Sequence, residues 1–142
     1  MPDGSGEKRE RLRFVAFDFQ RLPDAHCRAT VKLEWYPGAD HTGSAQGLSS
    51  ETGELRCAAS ATLQAIERAV DGSLHFDLLG VKSVRAFDAI VIIVSIISHH
   101  GDDSHRLVGS FLASDDSARG AAVAVLNATN RLLGNIFSRD AR

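Results

Sequence analysis

Two segments of this chain, AASATLQAIERAV at 58–70 and AAVAVLNATNRLL at 121–133, align without a gap and constrain its fold more than anything else in it. The alignment pairs Ala58 with Ala121, Ala59 with Ala122, Ala61 with Ala124, Leu63 with Leu126, Ala65 with Ala128 and Arg68 with Arg131. Alanine is the strongest helix former, so both segments read as helices, and their small side chains allow another element to approach closely. Alanine-rich helices also match by chance. The stronger signal is that a Gly-Ser pair precedes each helix, Gly43-Ser44 and Gly109-Ser110, and that each helix follows stretches that read as strands. The expectation is an α+β domain of duplicated βββα units, about six strands and two helices with antiparallel sheets, spanning 12–137.

The strands are read from alternation. LRFVAFDFQRL, from Leu12 to Leu22, places Leu12, Phe14, Ala16 and Asp18 on one face and Arg13, Val15, Phe17 and Phe19 on the other. From Cys27 to Tyr36 the apolar set Cys27, Ala29, Val31, Leu33 and Trp35 opposes Arg28, Thr30, Lys32, Glu34 and Tyr36, the pattern of a half-buried strand. HTGSAQG is a short third strand or a Gly-rich loop. LSSETGE reads as a mobile loop into a helix from Leu55 to Asp71, capped by Ser50 or Thr52 and stopped by Gly72. In the second half, 74–87 is extended, with Gly80 marking a bulge or bend. DAIVIIVSIIS is apolar on both alternating sets, so that strand is expected to be covered on both faces, by a helix on one side and by a second sheet or subunit on the other. HHGDDSH reads as a polar hairpin loop, RLVGSFLAS as a strand, and Ser117 to about Leu133 as a helix capped by Ser114, Asp115 or Asp116 and ended by Gly134. Residues 1–11 read as a disordered tail and 138–142 as a frayed end.

Composition narrows the partners. With 142 residues, 44% of them hydrophobic, the chain can build a core without metal or disulfide help. Sixteen basic and 18 acidic residues give a net charge of -2, too weak a field to attract nucleic acid or an anionic membrane. The helix, three strands, helix order from Leu55 onward is also that of a double-stranded-RNA-binding domain, but Ser114-Asp115-Asp116-Ser117 stands where such a domain carries phosphate-gripping lysines. The longest apolar run, Ala89 to Ile97, is about half of a membrane-spanning helix. Two cysteines make no disulfide framework and no secretory leader pattern opens the sequence, so a cytoplasmic location is expected.

The chemistry-bearing residues are few. His99, His100, Asp102, Asp103 and His105 are ligand types for zinc, yet they share one loop, and the reading is a solvated turn with no metal site and no cofactor. No phosphate loop or nucleophile signature is present, so no catalytic residue is assigned and the chain is read as a non-enzyme. Cys57, at a helix start, has either a lowered thiol pKa or, the preferred reading, a core role. Trp35 is assigned to the core rather than to ligand stacking. Asn127 and Asn130 either hydrogen-bond a neighbour or lie exposed. The Gly-Ser turns and helix starts suit a carboxylate, and Asp115 or Asp116 can instead pair with a ligand ammonium, which makes Gly43, Ser44, Gly47, Gly109, Ser110, Asp115 and Asp116 the candidate ligand-binding set.

The run Gly109, Asp116, Ala121, Ala124, Ala128, Asn130, Arg131, with NATNRLLG at its core, resembles the C-terminal regulatory domain of α-isopropylmalate synthase and citramalate synthase. The resemblance covers about 12–134 and implies the same βββα duplication. In that family the domain dimerises, binds an end-product amino acid between subunits and signals to a catalytic barrel. This chain carries no barrel and none of its metal ligands, so the resemblance implies a stand-alone, homodimeric module that senses a small metabolite. The alternatives are a ligand-free dimer that docks on a separate protein and, last, a metal-dependent enzyme using the His99–His105 loop.

Overall fold

The computed structural model describes residues 12–35 and 38–140, with side chains through Leu133. The expectations for the N-terminal tail and for Tyr36 lie outside the described residues. In chain order the elements are β1 (Leu12–Leu22), β2 (His26–Trp35), β3 (Ala39–Leu48), α1 (Glu51–Ala69), β4 (His75–Ala86), β5 (Ala89–His100), β6 (Asp103–Ala113) and α2 (Ser117–Asp140). These six strands form two antiparallel sheets, β1-β2-β3 and β4-β5-β6, so the duplicated βββα order read from the sequence holds.

The helices pack on each other between the two sheets. α1 lies over β2 and β3, α2 over β5 and β6, and each helix also reaches the first strand of the other unit, α1 at β4 and α2 at β1. This crossed docking explains why so much of each helix is buried, Leu55 to Ile66 on α1 and Ala118 to Leu133 on α2 contributing most of their residues to the core. Alanine dominates because the sheets come against helix backbone: a Cβ on Gly43 would sit 2.1 Å from the Ala61 carbonyl oxygen, and one on Gly109 would sit 2.2 Å from that of Ala124. The pairing of Ala61 with Ala124 in sequence is therefore a pairing of the two helix–strand contact points.

Hydrogen bonds repeat the symmetry. The Gln64 side-chain oxygen accepts from the Ser44 amide at 2.8 Å, and the Asn127 side-chain nitrogen donates to the Ser110 carbonyl at 2.9 Å. Glu67 accepts from the Phe76 amide at the start of β4 (2.8 Å), and Asn130 accepts from the Leu12 amide at the start of β1 (3.4 Å). Asn127 and Asn130 are thus joints between elements. The buried hydroxyls of Thr62 and Thr129 donate to the carbonyls of Ala58 and Val125, four residues back in each helix, which leaves neither group unsatisfied.

Several local expectations are corrected. A bulge between Phe14 and Ala16 inserts Val15 into β1, so Leu12, Phe14, Phe17 and Phe19 all face the helices, against the simple alternation that split them. The three phenylalanine rings follow one another at centroid distances of 6.2 and 6.4 Å. β4 carries the matching bulge between Leu78 and Gly80, as expected of Gly80. LSSETGE is not a mobile loop: Ser50 caps α1 by accepting from the Gly53 amide at 3.0 Å, and the helix starts at Glu51. Glu54 in its first turn accepts from Ser49 and receives both ends of the Arg21 guanidinium, at 3.0 and 3.1 Å. α1 ends at Ala69, and Asp71 and Gly72 follow with positive φ. The α2 backbone continues past Gly134, since a glycine inside a helix costs only about 1 kcal/mol and does not end it.

Candidate functional site

The seven residues singled out in the sequence do not converge. Gly43-Ser44 and Gly109-Ser110 lie within β3 and β6 rather than in turns. Both glycines face the helices and are required there by close packing. Both serines face outward, Ser44 on the first sheet and Ser110 on the second, with the helix pair between them. Gly47 abuts the Cys57 sulfur and lines a recess of about 390 Å³ beside the first turn of α1. Asp115 and Asp116 are exposed in the turn after β6, where Asp116 accepts from the Arg119 amide at 3.1 Å and so caps α2.

The histidine-rich segment is a tight hairpin rather than a long loop. β5 runs to His100 and β6 begins at Asp103, leaving Gly101 and Asp102 as the turn. Strand alternation then divides the cluster between two faces: His99 and Ser104 point outward, while Ser98, His100, Asp103 and His105 lie on the helix side. Among the described residues no three His, Cys, Asp or Glu side chains gather as a metal site.

On the outward face His99 stands between Ser104, 2.9 Å from Nδ1, and Asp77, 2.9 Å from Nε2. A proton on Nε2 directed at Asp77 leaves Nδ1 to accept from the Ser104 hydroxyl, the acid–base–hydroxyl order of a hydrolase. Register alone accounts for the arrangement, because Ser104 is the direct cross-strand partner of His99 and Asp77 is its diagonal neighbour. His75, the partner of His99 across β4, contacts Asp77 at 3.5 Å and Glu67 at 3.2 Å and extends the ladder. The nearby cavity opens on the opposite face of the sheet, so the serine faces away from it.

That cavity, about 590 Å³, lies between the edge strand β6 and the C-terminal half of α2. Its polar lining comes from His100, Asp103, His105, Asn127 and Arg131, and its apolar lining from Leu107, Ala128 and Leu132. Sequence reading missed it because it depends on how far α2 stands off β6, which no local pattern records.

Cys57 is a core residue. Its thiol lies 3.3 Å from that of Cys27, both are buried, and they are not joined in a disulfide. Burial, with the Cys27 contact, pushes the Cys57 pKa up to about 12, opposite to the activation that a helix start can give.

The largest difference between the two units is on the outside of their sheets. The first sheet presents Arg28, Thr30, Lys32 and Glu34 on its central strand, flanked by Asp18 and Gln20 on β1 and by Thr42, Ser44 and Gln46 on β3. The second presents Val91, Ile93 and Ile97 on its central strand, with Val84 on β4 and Val108 and Leu112 on β6, interleaved with Lys82, Ser95, Arg106 and Ser110. Val108 and Leu112 are each 64% exposed. The inner face of β5 is fully buried at Ile92, Val94 and Ile96, so the expected cover on both sides is met by this chain on one side.

Compared with protein-family models and with curated proteins, the chain has no significant match in either. No helix among the described residues is long and apolar enough to cross a membrane.

Proposed function

We propose that this chain is a non-catalytic, homodimer-forming regulatory module whose two copies meet through the outer face of the second sheet. One observation carries the reading: of two sheets of the same architecture, the second gathers a cluster of large apolar side chains on its outer face and the first does not. A face built of Val84, Val91, Ile93, Ile97, Val108 and Leu112 loses free energy in water, and a two-fold axis makes such a face its own complement. Three strands spaced about 4.8 Å apart and about ten residues long cover roughly 480 Å² on each copy, or on the order of 1,000 Å² for the pair, which reaches the lower bound for a specific interface. Sheets stacked in this way pack about 10 Å apart.

Sedimentation of the intact protein tests the proposal. A mass of twice 15.3 kDa is expected, and Leu112→Glu, at a 64% exposed position, is expected to return the chain to 15.3 kDa with unchanged circular dichroism. A monomeric wild type at about 100 µM, well above the dissociation constants of specific dimers, would sink the idea. Within that dimer, the resemblance to the synthase regulatory domain supports metabolite sensing. A specific rise in melting temperature across a metabolite panel assigns that role, and a tight dimer with no response assigns docking on a separate protein.

A further inference from the structure

The two units repeat their helix–strand latches, and one latch is closed in the first unit and open in the second. Gln64 with Asn127 and Glu67 with Asn130 make matching bonds at equivalent positions. The next pair does not match. Arg68 donates to the Thr42 carbonyl on the exposed edge of β3 at 2.7 Å. Its counterpart Arg131 makes no hydrogen bond or ion pair among the described residues, and the 590 Å³ cavity opens beside it against the edge of β6.

In an antiparallel strand the amide and carbonyl of one residue point to the same side, and residues two apart repeat that direction. The Ser110 carbonyl points to the free edge, where Asn127 meets it, so the backbone groups of Val108 and Arg106 point to that edge as well, at the mouth of the cavity. Arg106 sends its own side chain away, to Ser95 on the outer face at 3.3 Å. Arg131 is left as the guanidinium of the cavity, with the imidazoles of His100 and His105 in the same lining and Asp103 as the single carboxylate among the described lining residues. Leu107 and Leu132 supply the apolar wall.

We infer that this cavity binds a small organic carboxylate, with Arg131 holding the carboxylate and the apolar body lying between Leu107 and Leu132. A planar guanidinium pairs a carboxylate through two parallel N–H···O bonds. The edge amides of β6 and the imidazole N–H groups of His100 and His105 add donors. The volume falls within the range of small-molecule sites. The site lies apart from Gly43, Ser44, Gly109, Ser110, Asp115 and Asp116, and it does not depend on how the chains associate.

Titration of the ¹⁵N-labelled full chain with hexanoate, followed by amide chemical shifts, tests the inference. Saturable shifts are expected at residues 105–108 and 127–132, with a dissociation constant on the order of a millimolar for so small a probe. Hexanamide, the neutral analogue, should bind about tenfold more weakly, and Arg131→Gln should weaken hexanoate about tenfold, the loss expected with one charge-assisted contact. Arg68→Gln, at the equivalent position of the other unit, should leave hexanoate binding unchanged. Arg131 is exposed, so its variant keeps the fold, and His105→Ala, which removes an imidazole from the same cavity and should weaken hexanoate, provides a second handle on the site. Equal binding of hexanamide, undiminished binding by Arg131→Gln, or inorganic phosphate competing as tightly as hexanoate would each overturn the assignment.

Discussion

Gly109→Ala tests the architecture at its closest contact. The added Cβ would lie 2.2 Å from the Ala124 carbonyl oxygen and 2.7 Å from both the amide nitrogen and the Cβ of Ala128, where ordinary contact begins at 3.4 Å. Two of these are helix backbone atoms, so no rotamer change relieves the overlap. The difference between 3.4 and 2.2 Å obliges α2 to withdraw from β6 by about 1 Å. A gap of that size forfeits a quarter to a half of the dispersion energy along the line of contact, and overpacking in a close-packed interior costs about 1–3 kcal/mol by itself. Alanine recovers about 0.5–1 kcal/mol in a strand by narrowing the unfolded ensemble. The net expectation is a loss of ~2–4 kcal/mol, or about 10 °C in melting temperature for a chain of this size. Urea denaturation of Gly109→Ala and Gly43→Ala should show the same loss, because the two positions are related by the internal two-fold. Gly80→Ala is the control, since nothing lies within 4 Å of its added Cβ. If Gly109→Ala were as stable as Gly80→Ala, the reasoning from helix–strand contact would be refuted.

Two further outcomes follow from the same contacts. Ser50→Ala removes the acceptor for the Gly53 amide and should lower stability by about 1 kcal/mol in chemical denaturation, while Thr52→Ala should not, because Thr52 does not cap the helix. Cys57 keeps its proton up to about pH 12 in the native state, against 9.0 ordinarily. Above pH 9 the unfolded chain loses that proton and the folded one does not, so stability should be unaffected below about pH 8 and fall between 9 and 12. Cys57→Ser should flatten that alkaline slope, and the native thiols should resist iodoacetamide at neutral pH.

Much of the fold was legible because it is written in periods. The apolar alternation of β2 survives intact, with Cys27, Ala29, Val31 and Leu33 completely buried, because one face meets a helix and the other meets water. β1 was misread by the same rule, since a bulge at Val15 shifts the phase and leaves no mark in composition. The Gly-Ser pairs were recognised as special for the wrong reason. A glycine in a turn and a glycine under a helix look alike in sequence, and the distance to Ala61 or Ala124 is what separates them. The candidate ligand set dispersed because strand alternation sends Ser44 and Ser110 to the outsides of two different sheets.

By itself the sequence determined the repeated βββα order, the alanine-rich helices and the apolar run of β5, since each rests on local propensity and periodicity. Tertiary structure alone decided that each helix docks on the first strand of the other unit, which joins Glu67 to β4 and Asn130 to β1. It also decided that Arg68 closes on the edge of β3 while Arg131 stands beside an open cavity. Both outcomes depend on distances between elements remote in the chain. Two aligned arginines carry the same local preferences and acquire different surroundings only when the sheets and helices have packed.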